Sequence, residues 1–346
     1  MVAHARLFRR LPGVRWRYRV HEQILLSVHE HGGTTRPSDV VIRHDGYRDP
    51  ALYQGKLDRN HRLLALDAAE APDDPFGRFY QGYTLMLLGR PAEAVPLLRH
   101  SRACAPPGMS ILPKIHALLG QCLVRLGRRA EVLAACREGL RTAPADTELL
   151  FLEANLLQEA GDRPAAEARF RALLGARPET AYSGLDAGLR GYKARHNLAV
   201  LYRDQKRYAE AEAAWAAVVA EEPGFAPAWL GLGELYLARG RGDDVRRVLE
   251  TLDRAHPGAA ETAVLRARWL AHGGDVPAAR AALEGAVARA PRAAGPRLAL
   301  ARLLARDARD PAAAERVLRE LLDLEPGHPE AERLLARVRG REPSPG

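Results

Sequence analysis

The chemically capable residues that stand out first lie in VRWRYRVHEQI, residues 14–24. Arg15, Arg17, Arg19 and His21 share one parity; Val14, Trp16, Tyr18 and Val20 share the other. That is the period of a strand with one cationic face and one buried face. A second group joins His29-Glu30-His31 with His44. Two imidazoles in an H-x-H pair on a strand can share one metal, but this pair stands near a helix end, just before Gly32-Gly33. The three cysteines, Cys104, Cys122 and Cys136, are odd in number and lack paired metal spacing. They sit in helical patterns and read as buried thiols of a reducing compartment. The sequence contains no Gly-rich phosphate loop, nucleophile elbow or paired-cysteine motif.

The elements that would position these groups are short. A strand is expected around Leu7, a turn at Leu11-Pro12-Gly13, then the alternating strand, then a helix from about Gln23 to Gly32-Gly33. SDVVIRHDGY adds a strand at Val40 to Arg43. Asp49 caps a further helix with Pro50 at its first position, running to Pro72. Three strands without a partner sheet do not stand alone. Residues 1–48 are therefore expected to be the end of an α/β domain that begins upstream, and 49–74 a linker helix.

The net charge of +9 and pI near 9.8 invite a nucleic-acid reading. Its distribution argues otherwise. Only four of the 52 basic residues are lysines (Lys56, Lys114, Lys193, Lys206), and residues 1–50 hold 9 basic against 5 acidic side chains while the remaining 296 hold 43 against 38. No specific nucleic-acid partner is expected. Neither a membrane span nor a signal-like apolar segment after Met1 is present, and the chain reads as cytoplasmic.

Beyond residue 75 the pattern is periodic. Prolines recur at 106, 144, 178, 223, 257, 291 and 326, at intervals of 38, 34, 45, 34, 34 and 35. The fifth unit carries Trp229, Leu232, Gly233, Tyr236, Gly240 and Pro257; the fourth carries Leu198, Ala199, Tyr202, Ala211, Trp215 and Pro223. Gly82, Gly89, Ala94 and Pro106 mark the first unit, Leu119, Gly120, Gly127 and Pro144 the second, and Gly161, Ala166, Phe170 and Pro178 the third. Gly274, Ala279, Leu283 and Pro291 mark the sixth; Ala314, Leu318 and Pro326 mark the seventh. In this register small residues let two helices approach, large apolar residues fill the seam, Gly opens the turn and Pro stops the second helix. The pattern resembles tetratricopeptide repeats. It implies an all-α solenoid of about seven helix-turn-helix repeats over 75–340, ending in a capping helix, with 341–346 a frayed tail. Two stretches lengthen it, APPGMSILPK (105–114) and ETAYSGLDAGLRGYK (179–193).

The head of the chain carries a further resemblance. Arg6-Leu7-Phe8-Arg9, Arg19-Val20-His21-Glu22-Gln23, His44-x-Gly46-Tyr47, Lys56 with Arg59-Asn60, and Pro72-Asp73-Asp74-Pro75-Phe76 together resemble family-2 glycosyltransferases of the GT-A type with C-terminal tetratricopeptide repeats. That resemblance implies that 1–48 is the remnant of a nucleotide-sugar domain. It implies for His21 a supplementary place in a divalent-metal site, Mg²⁺ or Mn²⁺ in the full-length transferase, and for Arg17 and Arg19 contact with the phosphates. The family's Asp-x-Asp motif is not in this sequence, so the chain alone is expected to hold no cofactor and to carry no transferase activity.

Two functions remain open. One is an interaction scaffold that binds a protein or peptide in the concave groove of the repeats. The other is a glycosyltransferase whose catalytic domain lies upstream. The groove is expected to be lined by Asn155, Lys193, His196, Arg203, Glu234 and Arg268. The pattern of chaperone-tail clamps is matched at Asn155 and Asn197 but broken at Phe151, Pro227 and Gly231, where cations would be needed.

Overall fold

The computed structural model describes residues 8–9, 11–34, 36, 50–175 and 187–340. The described residues are helical almost throughout, in seventeen α-helices. A short α1 (Leu25–Glu30) and a long α2 (Pro50–Glu70) precede seven antiparallel pairs. These are α3 (Pro75–Leu87) with α4 (Pro91–Cys104), α5 (Leu112–Arg125) with α6 (Arg129–Thr142), and α7 (Thr147–Glu159) with α8 (Arg163–Gly175). After a 3-10 turn at Ala187–Arg190 come α9 (Tyr192–Asp204) with α10 (Tyr208–Glu221), and α11 (Ala226–Ala238) with α12 (Gly242–Ala255). The series closes with α13 (Ala260–His272) and α14 (Val276–Arg289), α15 (Ala294–Arg306) and α16 (Pro311–Leu324), and the single helix α17 (Pro329–Val338). The chain forms two compact units, Met1–Ala194 and Arg195–Gly346.

The expected register is the one the helices use. Ala94, Val132, Ala166, Ala211, Val245, Ala279 and Ala314, one per repeat at the same place in the second helix, are completely buried. Four residues later, Leu98, Cys136, Phe170, Trp215, Leu249, Leu283 and Leu318 fill the seam and are buried too. Within each unit successive helices pack together, and first helices pack on first helices of the next pair: α3 on α5 and α5 on α7, then α11 on α13, α13 on α15 and α15 on α17. No pair buries its apolar face alone, so the core is continuous along each unit.

The turns show why the punctuation residues are what they are. Inside five pairs the turn glycine, such as Gly89 or Gly240, has φ between +69° and +86°, a conformation that Cβ disfavours. In the fourth and seventh pairs Lys206 (φ 61°) and Arg309 (φ 51°) occupy that place. Aspartates then start helices: Asp74, Asp146, Asp275 and Asp310 each accept from a backbone N–H three residues on, at 2.7–3.0 Å, a cap worth about 1 kcal/mol.

The head departs from expectation. Among the described residues no strand forms; Arg17 and Gln23 make one isolated antiparallel bridge, with N···O distances of 2.9 and 3.0 Å. Tyr18 (φ 66°) and His21 (φ 57°) lie in the left-handed region, so the chain reverses between them and the alternation of faces is lost. Val20 is buried, but Trp16 is half exposed. The expected α/β remnant is therefore not seen in this segment, which is a tight loop. The expected helix ending at Gly32-Gly33 is present as α1. The strands proposed around Leu7 and at Val40 to Arg43, His44, the Asp49 cap and most of the 179–193 insertion lie outside the described residues.

Candidate functional site

The loop of residues 14–24 is held by the side chains singled out for chemistry. Arg17 donates through Nη2 to both carboxylate oxygens of Glu30, at 2.8 and 2.6 Å. Arg19 reaches α2, where it forks Glu70 at 2.8 and 2.5 Å and Asp67 at 2.5 Å, while its backbone N–H donates to Asp67 Oδ2 at 3.0 Å. Hydrogen bonding to Arg19 holds the Glu70 carboxyl below its ordinary range. His21 lies flat on Tyr80 of α3, ring centroids 4.1 Å apart at 17°, and burial lowers its pKa. Tyr18 packs on Phe76. Its hydroxyl lies 3.5 Å from Asp74; burial first, then Asp74, pushes the phenol up to about 12.

Each of the three residues assigned to metal and phosphate thus points to a different element: Arg17 to α1, Arg19 to α2 and His21 to α3. Mg²⁺ and Mn²⁺ are hard cations that require several anionic oxygens. Among the described residues, no group of three potential ligands gathers around His21. As folded, these residues do not fit such an ion.

Of the residues expected in the groove, three are brought together in the second unit. Glu234 on α11 pairs with Arg268 on α13 at 2.7 Å and with Arg203 on α9 at 3.8 Å. Arg203 also grips its neighbour Asp204 at 2.8 Å. These pairs cross between the first helices of consecutive repeats and are partly open to solvent, with the Arg268 side chain 52% exposed.

His196, on the same helix as Arg203, faces inward. Trp215 Nε1–H donates to its Nδ1 at 3.1 Å, and Phe225 meets it edge-on at 5.3 Å. An indole N–H can only donate, so the imidazole is neutral with its proton on Nε2. Burial, and secondarily Arg203, lower its pKa. In the first unit Asn155 donates to Phe151 O of its own helix at 2.9 Å, and the Lys193 ammonium sits 5.8 Å from the Tyr192 ring centroid.

The break in the clamp pattern at Gly231 has a steric cause. A Cβ there would lie 2.4 Å from Trp215 Cε2. No side chain fits while that indole fills the seam.

The structure also revises the cysteines. Cys122 and Cys136 are buried, and burial pushes their thiols up to about 11 and about 12. Cys104 is not buried; it stands beside His100 and Asp73. The only trace of that grouping in the sequence is the His-x-x-x-Cys spacing, which puts both side chains on one face of α4.

Residues 193–268, from α9 into α13, match the tetratricopeptide repeat family model. No curated protein matches the chain. Among solved structures, a tetratricopeptide repeat protein from Parabacteroides merdae superposes with a TM-score of 0.63 at 18% identity, covering 77% of this chain and 98% of that one. Yeast Tom70 gives 0.60 at 12% identity, covering 89% and 67%. PilW, a type IV pilus biogenesis factor, gives 0.55 at 16% identity, covering 66% and 98%. Likeness at these identities establishes a tetratricopeptide-type fold.

Proposed function

We propose that this chain is an interaction scaffold that binds an extended segment of a partner protein along the first helices of its second unit. The observation that carries this is the row Arg203–Glu234–Arg268. It places charged groups on three consecutive first helices, partly open to solvent and fixed by one another. A guanidinium has five N–H donors, so an arginine held by a carboxylate can still donate to a peptide carbonyl or acidic side chain. Pre-set side chains lower the ordering cost of binding. Repeat arrays present such rows because successive first helices turn the same face outward: Glu234 and Arg268 hold equivalent positions 34 residues apart, and Arg203 lies one turn further along its helix.

The transferase reading gains no support from the geometry. It places the catalytic domain upstream of this chain, and Arg17, Arg19 and His21, which the resemblance turns toward phosphate and metal, make their contacts here with Glu30, Glu70 and Tyr80.

The test is selection of peptides from a random library on the intact protein. Selected peptides should bind at least tenfold more weakly to a Glu234→Lys, Arg268→Glu double variant, a change of about 1.4 kcal/mol. They should bind normally to Arg246→Glu, which alters an exposed arginine on the second helix of the same repeat. Peptides indifferent to the first variant would refute this assignment.

A further inference from the structure

Outside the first-helix row, three different metal-ligating groups meet at the surface of the first unit. Asp73 comes from the turn between α2 and α3; His100 and Cys104 come from successive turns at the C-terminal end of α4. His100 Nε2 lies 3.1 Å from Asp73 Oδ1 and 3.5 Å from Cys104 Sγ, and Sγ lies 4.0 Å from Oδ1. The Pro72 carbonyl oxygen is 3.2 Å from the same Nε2. One imidazole nitrogen carries at most one proton, yet a carboxylate, a carbonyl and a sulfur converge on it.

We propose that Asp73, His100 and Cys104 form a binding site for a thiophilic divalent cation of the Zn²⁺ class. The donor set decides the class. Mg²⁺ and Ca²⁺ take oxygen ligands, whereas thiolate with imidazole and one carboxylate suits Zn²⁺.

The spacing decides that one ion can touch all three. A triangle with these edges contains a point about 2.1 Å from every donor atom, matching Zn–N and Zn–O bonds of about 2.0–2.2 Å. Shifting the ion toward the Nε2–Oδ1 edge and out of the plane lengthens the Sγ distance alone to the Zn–S value of about 2.3 Å, with the other two held at about 2.1 Å. Three protein ligands leave the fourth tetrahedral position to water, so the site is open rather than closed. Binding displaces the thiol proton and any proton on Nε2, so it weakens as pH falls. It also ties the turn before α3 to the end of α4, closing the first helix pair against the long α2.

The experiment uses untagged full-length protein and Co²⁺ as a spectroscopic substitute. One equivalent of Co²⁺ should produce a thiolate-to-cobalt charge-transfer band, and one equivalent of Zn²⁺ should abolish it. Cys104→Ser should remove the band. His100→Ala and Asp73→Asn should each weaken binding at least as much as the roughly 10–100-fold that loss of an outer-sphere partner costs. Far-UV circular dichroism checks that each variant keeps its helices, and all three side chains are at least partly exposed. As a second readout, Zn²⁺ should slow alkylation of Cys104 in the native protein and do so far less in His100→Ala. A band that survives Cys104→Ser, or no band at saturating Co²⁺ with no protection of Cys104, overturns the assignment.

Discussion

Replacing Gly231 by alanine tests the packing argument at its tightest point. Helix propensity alone favours the substitution by about 1 kcal/mol, because Gly231 lies inside α11. Packing opposes it. The new Cβ would stand 2.4, 2.6 and 2.9 Å from three atoms of the Trp215 indole. That ring cannot swing aside cheaply: it is fully buried, and its N–H is committed to His196. Overpacking of this kind costs about 1–3 kcal/mol, and a rigid ring belongs in the upper half of that range. The net expectation is a loss of about 1–2 kcal/mol in the second unit, read as an earlier urea midpoint by tryptophan fluorescence, which reports Trp215 together with Trp229 and Trp269 of the same unit. Gly55, in α2, is the control: nothing lies within 4 Å of its Cβ position, so Gly55→Ala should stabilise by about 0.5–1 kcal/mol. If Gly231→Ala proves neutral or stabilising with the indole environment unchanged, the close approach of α10 and α11 is wrong.

Lys206→Gly should stabilise the second unit. It relieves about 1–2 kcal/mol of left-handed strain and gives back about 1 kcal/mol in backbone entropy, so a small rise in Tm is expected and a fall would contradict the φ of +61°. Acidification should weaken the same unit. His196 is held neutral with a pKa below 6.5, so the unfolded chain binds the extra proton. Stability is then full above about pH 6.5 and declines as pH falls toward the folded-state value. Urea midpoints at pH 7.5 and 5.5 should show that decline, and His196→Gln should flatten it. Arg19→Ala should speed chymotryptic cleavage after Trp16 or Tyr18, because the loop loses its side-chain ties to Asp67 and Glu70 and keeps only the backbone bond to Asp67; an unchanged rate would show that other contacts hold it.

The repeats were legible because their residue types are packing requirements. Gly82 and Gly120 recur at one place in the first helix because a Cβ would lie 2.7 Å from Leu98 Cγ or 2.5 Å from Leu152 Cδ2. Pro stands after the second helix because the chain must turn there. Such demands repeat with each pair, so seven weak signals add. Glu234 and Arg268 meet for the same reason, since they hold equivalent positions 34 residues apart; Arg203 joins them from one turn further along its helix.

The head was not legible, and the reason is specific. Alternation of side chains assumes an extended backbone, and it carries no sign of a residue at positive φ unless glycine marks the place. Tyr18 and His21 take that conformation without glycine, as do Lys206 and Arg309. In the two repeats the surrounding register still located the turn; in residues 14–24 no neighbouring unit supplied one. The partners of the basic residues were hidden in a related way. Its charges are answered by Glu30, Asp67 and Glu70, which stand 13, 48 and 51 residues away from their partners. A charge excess in a short window therefore says little about an external anion until the helices that fold against the window are placed. The same distance hid Asp73 from His100, 27 residues apart in sequence and 3.1 Å apart in space. What sequence periodicity reveals is the lattice of the repeats; what it conceals is contact made where a non-repeating segment docks on that lattice.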